Sequence, residues 1–222
     1  MTEIQSKVTD IVEQRAIYKN VPSSYLIVKR IFDFTVSLIS LLILIPLFII
    51  IAVLIKLDSP GPIFFIQKRS GFKGKVFNMY KFRSMVSDAE QQLEKLKSKN
   101  EANGCIFKIK NDPRVTRVGR IIRKTSIDEL PQLINVLKGE MSIVGPRPPI
   151  VNEVKKYDPW HHLKLSVKPG ITGLWQVTGR GNIDFEEMCR LDLKYIRERS
   201  VMYDLKIILR TIPVLLGDSR AC

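Results

Sequence analysis

An uninterrupted apolar run, Phe34 to Ile55, constrains this chain more than any other feature of its sequence. The run has twenty-two residues without a charged side chain, and only Thr35, Ser37 and Ser40 are polar. A helix of this length measures about 33 Å, and the hydrocarbon core of a bilayer is about 30 Å thick. The run therefore predicts a helix that enters a membrane, since a helix in a soluble core is rarely so long and so apolar.

The path of this helix depends on Pro46, near its centre, and on the charges at its two ends. A proline inside a helix removes a backbone donor and clashes with the preceding turn, so we expect a kink or a break there. Lys29 and Arg30 precede the run, and five cations follow it between Lys56 and Lys75. A re-entrant hairpin keeps both basic flanks in the cytoplasm, as the positive-inside tendency favours, and we prefer it. A kinked helix that crosses the membrane once is the alternative.

The charge of the chain predicts an anionic partner. The net charge is +14 and the pI is about 9.8. Nucleic acid, anionic lipid and a phosphorylated substrate all fit this charge, and the membrane segment favours lipid headgroups and phosphates over nucleic acid. The three cysteines lack metal-ligand spacing, which argues against a disulfide framework and suits a reducing compartment.

The pattern divides the chain into an N-terminal extension (1–24), a membrane helix (25–57) and one cytosolic domain (58–222). We expect an α+β fold. Amphipathic helices are predicted at Phe185 to Ile196 and Leu205 to Leu216, and the second either lies in the membrane interface or packs in the core.

Short β-like stretches rich in Phe, Ile, Val and Tyr lie between Ile63 and Met85. Within them, a period of two places Lys81 and Arg83 on the face that also carries Phe77 and Met79. The alternation therefore predicts two cations that point the same way.

Asp128 and Glu129 are adjacent acids in a segment whose other charges are mostly positive. Proline is tolerated best in the first turn of a helix, so Pro131 predicts a helix that begins close to Asp128. Both carboxylates would then lie at the positive end of the helix dipole. Ser126 and Glu129 also fit a capping box, and on the local pattern capping is the commoner role for such acids.

Two loops add cations that suit phosphate binding. Arg147 lies between Gly145-Pro146 and Pro148-Pro149, a backbone with few alternatives, and a fixed guanidinium favours bidentate phosphate recognition. A second basic loop, residues 168–181, is rich in glycine and contains Gln176 and Arg180. Its glycines allow close backbone approach, although ordinary hairpin turns have the same composition.

Four blocks of sequence carry a resemblance to a known family. They are Lys29, Arg30, Phe32 and Asp33, then YKFRSM at 80–85, NDPRVTRVGRIIRKTSIDELPQLINVLKGEMSIVGPRP at 111–148, and KPGITGLWQVTGR at 168–180. In this order they closely resemble the bacterial sugar transferase family, the monotopic phosphoglycosyl transferases that begin polysaccharide and glycoprotein glycan assembly. The likeness covers about residues 25 to 216, and the length resembles the small members that consist of the catalytic domain.

The resemblance implies transfer of a sugar 1-phosphate from a UDP-sugar to undecaprenyl phosphate, with release of UMP and with Mg²⁺. It places the protein on the cytoplasmic face of the bacterial inner membrane. The charge adds anionic membrane lipids as partners, and the oligomeric state, homo-oligomer or monomer, is left open. Asp128 matches the family's nucleophile, and Glu129 matches the neighbour that helps hold Mg²⁺. The predicted phosphate and substrate site comprises Lys81, Arg83, Arg123, Arg147, Gln176 and Arg180.

One position departs from the family, and one other kind of function fits the charge. Family members often have Ser before the membrane proline, where this chain has Ile45, so a hydroxyl that could satisfy a freed carbonyl is missing. A non-catalytic basic module that binds anionic lipid or nucleic acid would explain the charge, but it gives Asp128 and Glu129 no role. A metal site at His161 and His162 has weak support from the sequence.

Overall fold

The computed structural model describes residues 21–96, 109, 112–178 and 183–215, and most of the predicted N-terminal extension lies outside them. The described part mixes helices with two small sheets, which confirms the α+β prediction. The helices are α1 (Ser23–Asp58), α2 (Ala89–Leu96), α3 (Arg117–Lys124), α4 (Gln132–Lys138), α5 (Val151–Val154), α6 (Leu174–Thr178), α7 (Phe185–Glu198) and α8 (Val201–Leu215). The strands are β1 (Phe64–Ser70), β2 (Val76–Phe82), β3 (Ser142–Val144) and β4 (Gly170–Thr172), and short 3₁₀ turns cover Phe72–Gly74, Ile127–Glu129 and His161–Ser166.

Helix α1 contains the predicted apolar run and extends it at both ends to 36 residues. It is long and apolar enough to cross a membrane, and most of its large aliphatic side chains are exposed. The helix is continuous through Pro46, so a break is absent there, and the kink that we also considered stays a prediction. Because a proline removes only one hydrogen bond of the ladder, the turns on either side keep the helix intact.

The N-terminal end of α1 is attached to the rest of the described chain, the domain of residues 58–215, by polar contacts. The ammonium of Lys29 lies 2.8 Å from the carboxylate of Asp204 in α8, and the Tyr25 hydroxyl donates to the same carboxylate at 3.0 Å. Arg30 donates to two backbone carbonyls in the last turn of α4, those of Val136 and Leu137. A cation at this position also interacts favourably with the negative, C-terminal end of the α4 dipole.

The C-terminal end of α1 packs on the same domain through apolar side chains. Ile51 and Ile55 are buried in a cluster with Phe82 of β2 and Ile122 of α3. Arg83, just after β2, donates to the carbonyl of Ser59 at 2.6 Å and so caps this end of the helix. Both ends of the membrane helix therefore contact one domain.

Strands β1 and β2 form an antiparallel hairpin in which Phe64 lies opposite Phe82 and Ser70 lies opposite Val76. As predicted, Phe77, Met79 and Lys81 share a face; the first two are buried and Lys81 is half-buried. Arg83 lies beyond the end of the strand and turns towards α1, so the prediction that the two cations point the same way is wrong.

The parallel pair of β3 and β4 brings the two basic loops of the sequence together. Ser142 lies opposite Gly170, and Val144 lies opposite Thr172. Gly170 is required here, because a side chain at this position would collide with the backbone of Gly145. The Gly-Pro-Arg-Pro loop after β3 therefore begins directly beside the start of β4.

Helices α7 and α8 bury the second core cluster and expose an apolar face. Leu193, Tyr195 and Ile196 of α7 pack with Ile207 of α8, and the Tyr195 hydroxyl oxygen lies 3.0 Å from the Val144 carbonyl. The other face of α8 exposes large apolar side chains: Val201, Met202, Leu205, Leu209 and Ile212. Helix α8 thus packs on the core along one side. Its other side exposes apolar residues, as expected for an amphipathic helix at a membrane interface.

Candidate active site

The two acids lie in the 3₁₀ turn Ile127–Glu129, immediately before α4. Helix α4 begins at Gln132 after Pro131, which is close to the predicted start. Ser126 has a left-handed backbone (φ 56°), and its side chain makes no capping hydrogen bond. The capping-box interpretation of Ser126 and Glu129 is therefore wrong, because a capping residue needs an extended backbone.

Asp128 is buried, with 8% of its surface exposed. Burial raises the pKa of its carboxyl group to about 6, and Glu129 raises the pKa further, while Lys81 and Arg123 act in the opposite direction. The carboxylate is still the main form at neutral pH. Asp128 is thus a buried carboxylate whose pKa lies close to neutral pH, and such shifted pKa values are common among groups that take part in catalysis.

Glu129 is fixed by Lys81, whose ammonium lies 2.6 Å from its carboxylate. The contact joins the turn before α4 to strand β2. Asn135 of α4 reinforces this junction, since its side chain accepts from the Tyr80 amide at 3.1 Å and donates to the Asn78 carbonyl at 2.7 Å. The backbone that carries the acids is therefore anchored to the hairpin, which limits their movement.

A cleft of about 250 Å³, open to solvent, lies beside Glu129. It is lined by side chains from the hairpin, the α4 turn and both basic loops: Arg69, Met79, Lys81, Glu129, Gln132, Arg147, Pro148, Gly170, Ile171 and Gln176. The cleft thus combines residues that are far apart in the sequence, and cations outnumber acids along its walls.

Arg147 and Gln176 lie in this cleft, as the sequence predicted for substrate-binding residues. Arg147 is exposed between Pro146 and Pro148, both of which are buried. The prolines therefore fix the backbone while the guanidinium reaches the cleft. Gln176 donates to the Ile171 carbonyl at 3.0 Å, and its amide oxygen is buried and accepts no hydrogen bond from the described residues.

Two predicted site residues do not line the cleft, and a third is not among the described residues. Arg123 is exposed in the last turn of α3 and acts on Asp128 through its charge rather than as part of the cleft wall. Arg83 is buried and donates to carbonyls at the end of α1, outside the cleft, so we remove it from the substrate site. Arg180 lies outside the described residues.

Arg69 and Gln132 also line the cleft, and the sequence did not single them out as site residues. In the sequence, Arg69 is one of the five cations that follow the apolar run. It lies on the face of β1 that also carries Phe65 and Gln67, and the register places that face with Lys81. The sequence shows that Phe65, Gln67 and Arg69 alternate along one face of a strand. It does not show the pairing of β1 with β2, which directs that face towards the cleft.

The residues present fit a magnesium ion better at the acid pair than at the histidines. Asp128 and Glu129 offer adjacent carboxylates beside a cleft in which cations outnumber acids, and Mg²⁺ is usually held by one or two carboxylates together with substrate phosphates. His161 does have acidic neighbours, Asp158 and Glu186, which were not apparent from the sequence. However, its Nδ1 accepts the Asp158 amide at 3.0 Å, so that nitrogen is already occupied.

Comparison with known proteins supports the resemblance seen in the motifs. Residues 24–218 match the family described as bacterial sugar transferase. Galactosyl transferase CpsE of Streptococcus agalactiae is 52% identical over 87% of this chain, and the undecaprenyl-phosphate galactose phosphotransferase of Salmonella typhimurium is 43% identical over 85% of it. The exopolysaccharide production protein ExoY of Rhizobium meliloti is 40% identical over 84% of this chain.

The matches differ in how much of each relative they cover. The chain spans 43% of CpsE and 40% of the Salmonella protein, but 84% of ExoY. The family match covers both the membrane helix and every described residue of the cleft. On these findings, the chain belongs to the bacterial sugar transferase family.

Proposed function

We propose that this protein transfers a sugar 1-phosphate from a UDP-sugar to undecaprenyl phosphate and releases UMP. The observation that carries the proposal is the buried Asp128 next to Glu129, which lines a cation-rich cleft in a domain attached to an apolar helix. Relatives named as a galactosyl transferase and an undecaprenyl-phosphate galactose phosphotransferase agree with this chemistry.

In the proposed reaction, a carboxylate oxygen of Asp128 attacks the sugar-linked phosphorus of the donor. A bond forms between that oxygen and phosphorus, and the bond from phosphorus to the bridging oxygen breaks, so UMP leaves with the electron pair. The phosphate oxygen of undecaprenyl phosphate then attacks the same phosphorus and releases the Asp128 carboxylate. A covalent intermediate allows the soluble donor to leave before the lipid reacts.

Electrostatics explains why the acid needs its surroundings. An anionic carboxylate and an anionic diphosphate repel each other, and fixed cations reduce that repulsion most where water is excluded. Lys81 and Arg147 line the cleft, and Arg123 adds positive potential at Asp128. We further propose that Asp128 and Glu129 hold Mg²⁺, which when bound would neutralise phosphate charge.

The contacts of α1 support a monotopic arrangement on the cytoplasmic face. A helix that crossed the membrane once would separate its two ends by the bilayer, yet Lys29 and Ile55 both contact the same domain. We therefore propose that α1 enters the membrane, bends at Pro46 without losing its helical backbone, and returns, with its exposed aliphatic side chains towards lipid. The exposed cations of α8, Lys206 and Arg210, would meet anionic headgroups beside its apolar face.

The activity is tested by screening UDP-sugars for UMP release by the full chain in detergent or nanodiscs with undecaprenyl phosphate. We expect release with one or a few donors, and none above background for Asp128→Asn. Quenching with the active donor alone should leave a phosphosugar adduct on the peptide that contains Asp128. Absence of UMP release with every donor would favour a non-catalytic lipid-binding module instead.

Topology is tested separately by reaction of single cysteines with a membrane-impermeant reagent in intact cells. Both ends of the chain should be protected until the membrane is opened. Labelling of one end from outside would show that α1 crosses the bilayer.

A further inference from the structure

Arg69 is a buried guanidinium in the wall of the cleft, with 5% of its surface exposed. One Nη group donates to the Pro148 carbonyl at 2.8 Å, and Nε and the other Nη donate to the Gln67 side-chain oxygen at 3.0 and 2.6 Å. These contacts use three of its five N–H groups and fix the plane of the guanidinium. Two donors are left for another partner.

No carboxylate among the described residues forms an ion pair with Arg69, since all of its acceptors are neutral. Arg147 lies close enough to oppose its charge: burial lowers the pKa of Arg69 to about 10, and Arg147 lowers it too. Arg69 nevertheless remains protonated at neutral pH. Glu153 and Glu129 act in the opposite direction on this pKa, but neither carboxylate is within ion-pair distance of Arg69. A buried cation without a direct ion-pair partner is unfavourable, and an anionic ligand relieves that cost.

The register of the hairpin separates Arg69 from the acid pair. Arg69 lies opposite Phe77, which is four residues before Lys81 on the same face of β2. Four residues of strand correspond to about 13 Å, with Met79 between the two positions. The distance of about 13 Å is a backbone spacing. The long side chains of Arg69 and Lys81 both reach the same cleft, where Glu129 acts on the charge of Arg69. The cleft therefore has Lys81 and Glu129 on one side and two guanidinium groups on the other.

We propose that Arg69 and Arg147 bind the phosphate that departs with UMP, the one that is not transferred. This inference rests on the proposed function. When the bond to the bridging oxygen breaks, that oxygen stays with the nucleotide and its phosphate gains one negative charge. The two guanidinium groups stabilise this charge, while Lys81 and the acid pair act at the transferred phosphorus.

The test compares the affinities of UMP and uridine by titration calorimetry, because the two ligands differ only in the phosphate. In Arg69→Met we expect UMP to bind about 10- to 100-fold more weakly, as for loss of hydrogen bonds to a charged group, with uridine binding unchanged. The ratio of the two affinities is the readout, since a misshapen cleft weakens both ligands together. Arg69→Lys keeps the positive charge but loses the paired N–H donors of the guanidinium, so its ratio of UMP to uridine affinity should be intermediate.

Lys68→Gln is the matched control, because Lys68 is exposed on the opposite face of the same strand, and its ratio should equal that of the wild type. An unchanged ratio in both Arg69 variants would overturn the proposal. If the ratio is unchanged and the KM for undecaprenyl phosphate rises instead, the site binds the lipid phosphate and the nucleotide assignment is wrong. Wild-type protein that releases no UMP from any donor would reject the proposed function itself.

Discussion

Asp128 and Asp204 are both buried aspartates, but their surroundings differ. Asp204, which joins α1 to α8, accepts from the Tyr25 and Tyr195 hydroxyls at 3.0 and 2.8 Å and pairs with Lys29 at 2.8 Å. Asp128 accepts no hydrogen bond from a side chain among the described residues and is influenced by cations only at longer range. A saturated carboxylate stabilises a fold, whereas an under-satisfied one remains available for reaction.

The largest expected effect comes from Asp128→Asn, which should lower the rate of UMP release by at least about 10³-fold. The same change should stabilise the protein. Because the pKa of Asp128 is about 6 in the folded protein and is usually near 3.8, its ionisation costs stability that is lost between about pH 4 and pH 6 and stays lost above pH 6. Asn cannot ionise, so the free energy of unfolding at pH 7.5 should rise by up to about 3 kcal/mol.

Thermal unfolding at two pH values checks the stability part of this prediction. The higher Tm of Asp128→Asn should be present at pH 7.5 and absent below about pH 4, where both proteins carry a neutral side chain. A variant that is less stable than wild type at pH 7.5 would show that Asp128, like Asp204, has a structural role.

The second prediction concerns Glu129→Gln. We expect the Mg²⁺ concentration that gives half the maximal rate to rise about tenfold or more, since a neutral amide replaces a charged ligand. A Mg²⁺ titration of UMP release measures this shift, with Glu140→Gln as a control acid outside the cleft. An unaltered Mg²⁺ titration would show that Glu129 does not bind the metal. Its ion pair with Lys81 would then be a structural contact.

The third prediction concerns Asp204, the buried aspartate whose carboxylate is saturated by hydrogen bonds. Asp204→Asn should lower the free energy of unfolding by about 2 kcal/mol, because it removes the charge from three hydrogen bonds. Chemical denaturation measures the loss, and UMP affinity below the unfolding transition should stay at the wild-type value. A specific loss of UMP affinity in a stable Asp204→Asn protein would contradict the division between the two aspartates.

The smallest expected effect is a pH dependence of adduct formation. Protonated Asp128 is not a nucleophile, so the rate of the first half-reaction should fall about tenfold per pH unit below pH 6 and change little above pH 7. Rapid-quench measurements with donor alone isolate this step. A rate that is constant from pH 5 to 7 would mean that the reacting carboxylate has an ordinary pKa.

Features that depend on short stretches of sequence were predicted well. The apolar run, the acid pair before Pro131 and the proline-fixed Arg147 follow from composition and local backbone chemistry. These properties need no knowledge of distant residues, because hydrophobic length and proline geometry act within a few turns of chain.

Features that depend on distant partners were missed or wrong. The helix α1 stays continuous through Pro46, and Arg83 caps that helix instead of lining the cleft. Arg69 contacts the Pro148 carbonyl 79 residues away, which no local pattern indicates. Both arginines are cations at strand ends, and only their acceptors distinguish them.

The sequence by itself therefore determined that the chain has one helix long and apolar enough to cross a membrane, that two adjacent acids precede Pro131, and that a proline-fixed cation accompanies them. The tertiary structure decided which arginines face the cleft, which aspartate is saturated and where both ends of α1 attach. The physical reason is that the role of a charged side chain depends on the partners within hydrogen-bonding distance, and strand register and helix packing set those partners.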